Sequence, residues 1–500
     1  MKITRRKALQ LAAIAGGSAA LFPIVNQYTS YAATAGSPQP KPFTVNLPTP
    51  PILNPVRSDE TTDYYEIVIK RNQVEILPGL TTEIWGYNGI SPGPTIKQRQ
   101  GRQSIVRFIN DVGALTSTHL HGMASLPQYD GYAEDLSAPG FYKDYIYPNN
   151  RAATFWYHDH AIDQTAHHVY MGLAGIYIVQ DDLELGLPLP KGRYDIPLVI
   201  EDKIFATDGS LIFDDDGHSS LMGDVILVNG APMPRLEVAN RKYRFRVLNG
   251  SVSRSYKLAL STDDDLVVIG TDGGLLEAPV ITKDIRIGMG ERYELIIDFS
   301  KYPIGTQIVL QNLGLPNNTD YDGTSEIMRF DVVRAETDNS SIPSTLRFFE
   351  PLEPPSPRPT RRWTFEKRNN RWEINGNIWD RNRVDANPGL NDIEVWEIIT
   401  NSRDWFHPVH IHLVHFQILE RNGQPPLNYE QGWKDIVYIG EDDNIKLIAR
   451  FEPHQGKYMM HCHNTVHEDH AMMTQFQVGS GGADPMSAPP KPLPAPLLSS

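Results

Sequence analysis

The chain has 500 residues, 40% of them hydrophobic, with a formal net charge of -14, 39 prolines, 38 glycines and a single cysteine. That length gives room for two to four domains with sizeable cores. The acidic balance, with no basic stripe, excludes the charge footprint of a nucleic-acid binder, and the lone Cys462 excludes an intrachain disulfide.

The N-terminus reads as an export signal over 1–35. Lys2, Arg5, Arg6 and Lys7 form a charged start, an apolar stretch runs from about Ala8 to Val25, and Ala33-Thr34-Ala35 resembles a small-residue cleavage site. Thr4-Arg5-Arg6-Lys7 looks like a twin-arginine signal, a route that carries folded proteins; an ordinary signal with two chance arginines is the alternative. Gly16, Gly17 and Pro23 argue against a membrane-spanning helix, so no stable membrane insertion is expected.

Beyond the signal, one module recurs three times. Asn88-Gly89 leads to the alternating run Val106–Asn110, Asn229-Gly230 to Tyr243–Asn249, and Asn375-Gly376 to Val395–Asn401. Each copy reads as a turn, a loop and a strand that ends in Asn. The repeat predicts an all-β chain with domains at 42–182, 190–336 and 363–479. The Pro-rich stretch 337–362 is expected to be an extended linker, and the Pro/Ala/Gly/Ser-rich segment 480–500 a disordered tail.

The copies diverge in their histidines. The first carries His119-Leu120-His121 and His158-Asp159-His160. The third carries His407-Pro408-Val409-His410-Ile411-His412 and His461-Cys462-His463, followed by His467. The second has none at these places and reads as a spacer without metal. Residues two apart on a strand share a face, so each of four His-x-His pairs can reach one site. Eight imidazoles, four from each outer domain, suit a metal cluster shared between those domains. Cys462 points the other way from His461 and His463, towards His407 and His467. Two imidazoles, a thiolate and a weak thioether describe a blue-copper site. Met472 is the thioether candidate and Met473 its competitor. Asp159 stands where the third copy has Cys462.

These motifs resemble those of three-domain multicopper oxidases, closest to the bacterial spore-coat laccase and bilirubin oxidase branch, over about 45–479. The resemblance implies three cupredoxin-like Greek-key β-sandwich domains and four copper ions. His407, Cys462, His467 and Met472 would hold type 1 copper, and His119 and His410 type 2. His121, His158, His160, His412, His461 and His463 would hold the type 3 pair. It implies one-electron oxidation of phenolic or bilirubin-like small molecules, coupled to reduction of O2 to water, in a periplasmic or secreted monomer. A metallo-oxidase acting on Cu(I), Mn(II) or Fe(II) is the alternative, and a non-catalytic structural protein a further one. Asp130 and Glu468 are candidate proton relays, because making water consumes protons; a turn aspartate and a hydrogen-bonding or ion-paired glutamate are the bland readings. Asp469 reads as structural. Trp405, two residues before His407, either edges the type 1 site or packs in the core.

Overall fold

The computed structural model describes residues 36–354, 360–401 and 405–494. The export segment 1–35 lies outside them. Among the described residues the chain is built from strands arranged in six sheets, two for each repeat. No described helix is long and apolar enough to cross a membrane.

The repeat has a physical basis that is the same three times. Asn88, Asn229 and Asn375 take φ of 57°, 51° and 51°, and the glycines after them take 71°, 79° and 73°. Two consecutive left-handed residues make the tight turn that Asn-Gly favours. Each asparagine also accepts a backbone N–H from a neighbouring strand: Val68 at 2.8 Å, Val199 at 2.8 Å and Thr364 at 2.7 Å. The strand that follows then pairs in parallel with the module's first strand: Gln103–Asp111 with Thr62–Val74, Lys242–Asn249 with Asp195–Lys203, and Ile393–Thr400 with Thr360–Arg368. The asparagine that ends it ties the next loop. Asn110 donates to the carbonyls of Ala114 and Ser137, and Asn249 to those of Arg254 and Ile287.

Each module encloses its own apolar core. The first is centred on Ile67, Tyr87, Phe108 and Phe155, the second on Ile200, Phe245, Leu295 and Phe330, and the third on Phe365, Ile398, Leu447 and Phe476. Burying side chains of this size stabilises the fold by roughly 1.5–3 kcal/mol each. That is ample to hold rigid strands beneath a polar site.

Two expectations need correction. The stretch 337–354 is extended but lies against the middle module. Ser341 N–H donates to Pro188 O at 2.8 Å, and Leu346 is buried among Leu189, Ile269, Leu275 and Ile296. The tail is not disordered over 480–494. Lys491–Pro492 pairs antiparallel with Phe141 and Tyr142 of the first module, and Leu493 N–H donates to Gly140 O at 2.9 Å. Proline-rich composition argues against helices and central strands, yet an edge strand tolerates a residue with no N–H.

Candidate metal centre

The four histidine pairs lie at the inner ends of paired strands. In the first module Thr118–His121 runs antiparallel to Ala153–Asp159, with His119 opposite His158. In the third, His407–Ile411 runs antiparallel to Gly456–Cys462, with His410 opposite His461 and Val409 opposite Cys462. Alternation does the rest: His461 and His463 face the first module while Cys462 turns into the third module's core. All ten histidines and the cysteine are at most 1% exposed.

The ring nitrogens fall into small groups that mix the two outer modules. His121, His158 and His463 form one, His160, His412 and His461 a second, and His119, His410 and His121 a third. The Nε2 atoms of His160 and His461 are 3.2 Å apart, those of His412 and His461 3.2 Å, and those of His119 and His410 3.4 Å. The outer nitrogens are held from behind. His410 Nδ1–H donates to Asp435 O at 2.7 Å, His158 Nδ1–H to Asp159 O at 2.9 Å, and His119 Nδ1–H to Asp130 O. His412 Nδ1 lies 2.7 Å from Asp130 Oδ2. A neutral ring that donates from Nδ1 carries a lone pair on Nε2. Lone pairs that face each other at this range repel unless a cation lies between them. Among the described residues His463 has no hydrogen-bond partner at either nitrogen, and His121 Nδ1 and His158 Nε2 have none. The donor set therefore fits metal ions that prefer imidazole.

Burial, reinforced by neighbouring imidazoles, pulls His119, His121, His158, His410 and His412 well below the usual histidine range. Burial takes His407 and His463 down to about 3. These seven rings are neutral at physiological pH, the form that ligates metal.

A separate triangle lies behind. His407 Nδ1 is 3.3 Å from Cys462 Sγ, Cys462 Sγ is 3.6 Å from His467 Nδ1, and the two Nδ1 atoms are 3.3 Å apart. His467 Nε2 points away, 2.8 Å from Ser219 O of the middle module, which leaves Nδ1 free for the triangle. Met472 is fully buried in the same cluster as Cys462. Met473 stands opposite His461 in the strand register and packs with Tyr132, Trp379 and Met459. Of the two methionines, Met472 belongs to the triangle's side.

The predicted carboxylates reach the cluster. Asp130 is 3% exposed, and burial pushes its acid well above the usual range. Glu468 follows His467 in sequence but turns towards the other set. Its Oε2 is 3.1 Å from His461 Nδ1 and its Oε1 3.4 Å from His160 Nε2, and Thr165 Oγ donates to Oε1 at 3.2 Å. Burial opposes its charge, but the imidazoles of His461 and His160 outweigh that and hold it below the usual glutamate value. Asp469 accepts the N–H groups of Thr165 and Ala166 at 2.8 and 2.9 Å, capping a helix of the first module. Asp159, in the place of Cys462, accepts from His168 Nδ1 at 2.7 Å and from Ser117 N at 3.1 Å.

Three groups at the site were not singled out from the sequence. Asp435, fully buried, places Oδ1 3.0 Å from His121 Nε2. Arg292 of the middle module grips that carboxylate with two bonds of 2.6 Å. Trp372 stacks on His467 at 3.6 Å between ring centroids, with Trp405 edge-on to Trp372 at 5.1 Å. The middle module is thus more than a spacer, since it anchors a group that touches the histidine cluster. Lys434-Asp435 ahead of the apolar run Ile436–Ile439 was the available signal: two charges at the mouth of a buried strand need partners.

Multicopper oxidase family models match residues 68–184, 206–323 and 351–482. The chain belongs to the multicopper oxidase family: it is a copper-dependent oxidoreductase that takes electrons from small molecules and passes them to O2. It is 42% identical over 470 residues to a bilirubin oxidase of Albifimbria verrucaria, covering 88% of this chain and 82% of that one. It is 34% identical over 508 residues to a laccase of Bacillus stratosphericus, covering 87% and 99%. The fold superposes on a laccase from Pediococcus acidilactici with a TM-score of 0.82 at 28% identity, over 89% of this chain and 95% of that one.

Proposed function

We infer that the chain is an exported oxidase holding four copper ions. One would be bound by His407, Cys462 and His467 with Met472 as the weak axial ligand, and one by His119 and His410. A pair would be held by His121, His158 and His463 on one side and by His160, His412 and His461 on the other. The observation that carries this reading is the set of facing Nε2 atoms 3.2–3.4 Å apart in a buried centre shared by two modules. Copper bound there supplies one-electron chemistry and the four-electron reduction of O2 to water.

The chain's own residues do the rest. Cys462 joins the two sets through a few covalent bonds, because its thiolate belongs to the triangle and its sequence neighbours to the cluster. Trp372, stacked on His467, and Trp405 form the aromatic face nearest the triangle, where an electron donor would dock. Asp130 and Glu468, each touching cluster imidazoles, are placed to pass protons to developing water. The hydrogen bonds behind the rings fix which nitrogen faces inward.

The donors favoured are phenols and bilirubin-like tetrapyrroles, in keeping with the names of the relatives. The twin-arginine-like start supports export of the folded, metal-loaded protein, acting as a monomer in the periplasm or outside the cell. Copper-loaded protein should be blue, contain about four coppers per chain and oxidise phenols or bilirubin at the expense of O2. A colourless, fully metallated protein would overturn the metal assignment. Faster turnover of Cu(I), Mn(II) or Fe(II) than of any organic donor would overturn the substrate assignment.

A further inference from the structure

Outside the copper sets, three metal-ligating side chains meet close to His467. His218 and His470 stack with ring centroids 3.8 Å apart and 28° between their planes. Asp215 closes the group: its Oδ2 lies 2.7 Å from His218 Nδ1 and 3.9 Å from His470 Nε2. The side chains are 59%, 31% and 22% exposed for His218, His470 and Asp215, so the group opens to solvent.

The orientation of His470 is informative. Its Nδ1–H donates to Val466 O at 2.7 Å, which leaves the lone pair on Nε2. That nitrogen lies 3.9 Å from Asp215 Oδ2, too far for a direct hydrogen bond and with room for a shared ion. A divalent cation would give the two imidazoles and the carboxylate one shared partner.

The loop is shaped for this. Asp216 and His218 take left-handed φ of 46° and 75°, and Asp215 O accepts the N–H groups of Ser219 and Ser220 at 2.9 and 3.2 Å. Asp214 and Asp216 flank the carboxylate in sequence and add negative charge. Lys367, on the strand Thr360–Arg368, donates to Ser219 Oγ at 3.1 Å and brings a cation against this loop, where Asp216 acts on it electrostatically.

We propose that Asp215, His218 and His470 form a binding site for a divalent transition-metal ion beside the His407–Cys462–His467 triangle, separate from the copper sets. Imidazole and carboxylate donors suit Cu2+, Zn2+ and Ni2+, and three protein ligands leave positions for water, so the ion exchanges readily. The same loop is tied to the triangle twice. Ser219 O accepts from His467 Nε2 at 2.8 Å, and His218 O accepts from Trp372 Nε1 at 2.7 Å, with Trp372 stacked on His467. Occupancy therefore alters the surroundings of His467. This second part rests on reading the triangle as the type 1 copper site.

The test titrates the copper-loaded full chain with Zn2+, which is redox-silent. Isothermal calorimetry should find one equivalent bound. The blue absorption should shift, and anaerobic reduction of the blue centre by an organic donor should slow severalfold. His470→Gln, Asp215→Asn and the more exposed His218→Gln should each weaken Zn2+ binding tenfold or more while leaving the copper content unchanged. Absence of binding in the wild type, or equal binding in every variant that folds, overturns the site. Binding that depends on these residues, in a protein that is not blue, upholds the site and overturns the type 1 reading instead. Binding with no effect on the blue absorption or on the reduction rate overturns the coupling.

Discussion

The backbone N–H of Cys462 donates to the carbonyl of Met472 at 3.1 Å, closing the ten-residue excursion that carries His463, His467 and Glu468. This bond holds the cysteine and the methionine side by side in the third module's core. It also explains why Met473, one residue on, is turned away into the strand that pairs with His461.

Met472→Leu should therefore leave the protein blue and raise the potential of the type 1 centre. An axial thioether is a weak, long ligand that tunes the metal more than it holds it. Leucine is close in volume, so the cost in stability should stay below about 1.5 kcal/mol. Redox titration of the blue band is the measurement. A shift on Met473→Leu and none on Met472→Leu would move the axial role by one residue.

Cys462→Ser should abolish blue colour and oxidase activity together while the eight cluster histidines still take up copper. A hydroxyl is a poorer ligand than a thiolate, and burial already opposes ionisation at this position. Metal analysis should show a loss of about one copper per chain. Normal turnover of phenols by this variant is the outcome incompatible with the assigned route.

Most of the centre was legible because strand alternation is a local rule. His-x-His places two imidazoles on one face wherever the strand lies, and the residue between them faces away. The triple Asn-Gly turn and Asn-ended strand were legible for the same reason, since left-handed φ and short-range asparagine hydrogen bonds belong to the turn itself. Arg292 was not legible as a partner of the site, because 143 residues separate it from Asp435 and only the docking of two modules joins them. Glu468 was half legible. Its neighbour His467 belongs to the triangle, but the short helix Thr465–Asp469 rotates the Glu468 carboxylate towards His160 and His461. The tail was misread because composition reports what a segment disfavours, while the edge of the first module supplied a partner from outside it.

Asp130→Asn and Glu468→Gln should each slow oxygen reduction while preserving most copper and colour. The swaps keep shape and remove the titrating proton. The defect should grow as pH rises and protons become scarce. Anaerobic electron transfer from donor to the blue centre should change little. An equal loss in that anaerobic step would instead mark the carboxylates as structural supports, with Asp130 holding His412 and Glu468 holding His461.

Acid should destabilise the copper-free chain through its buried histidines. In the folded state burial lowers His407 and His463 from 6.5 to about 3, so they stay neutral where the unfolded chain takes up protons. The unfolded state then binds more protons below pH 6.5, and stability falls as pH drops from there towards 3. Thermal unfolding of metal-free protein across that window should show Tm falling with pH. Replacing His463 by Gln should flatten the slope, and an unchanged slope would show that this histidine is not buried neutral.

Arg292 offers five N–H groups, and all five have acceptors. Two go to the Asp435 carboxylate at 2.6 Å each, and the others to Thr154 O at 3.0 Å, Gly290 O at 3.1 Å and Asp272 O at 3.1 Å. The fork thus ties the first and third modules to the middle one directly behind His121 and His410, whose outer nitrogens contact Asp435. Arg292→Lys keeps the charge but cannot reproduce the planar fork. It should release Asp435, loosen His121 and His410, and lower occupancy or alter the paramagnetic resonance of the non-blue copper, with the blue band intact. Asp435→Asn leaves the buried guanidinium with only the more distant Asp272 carboxylate, 3.8 Å away, as counter-charge and should cost about 3 kcal/mol of stability, visible in denaturant unfolding. If Arg292→Lys left the non-blue copper signal untouched, the middle module's arginine would hold the modules together without positioning the ligands.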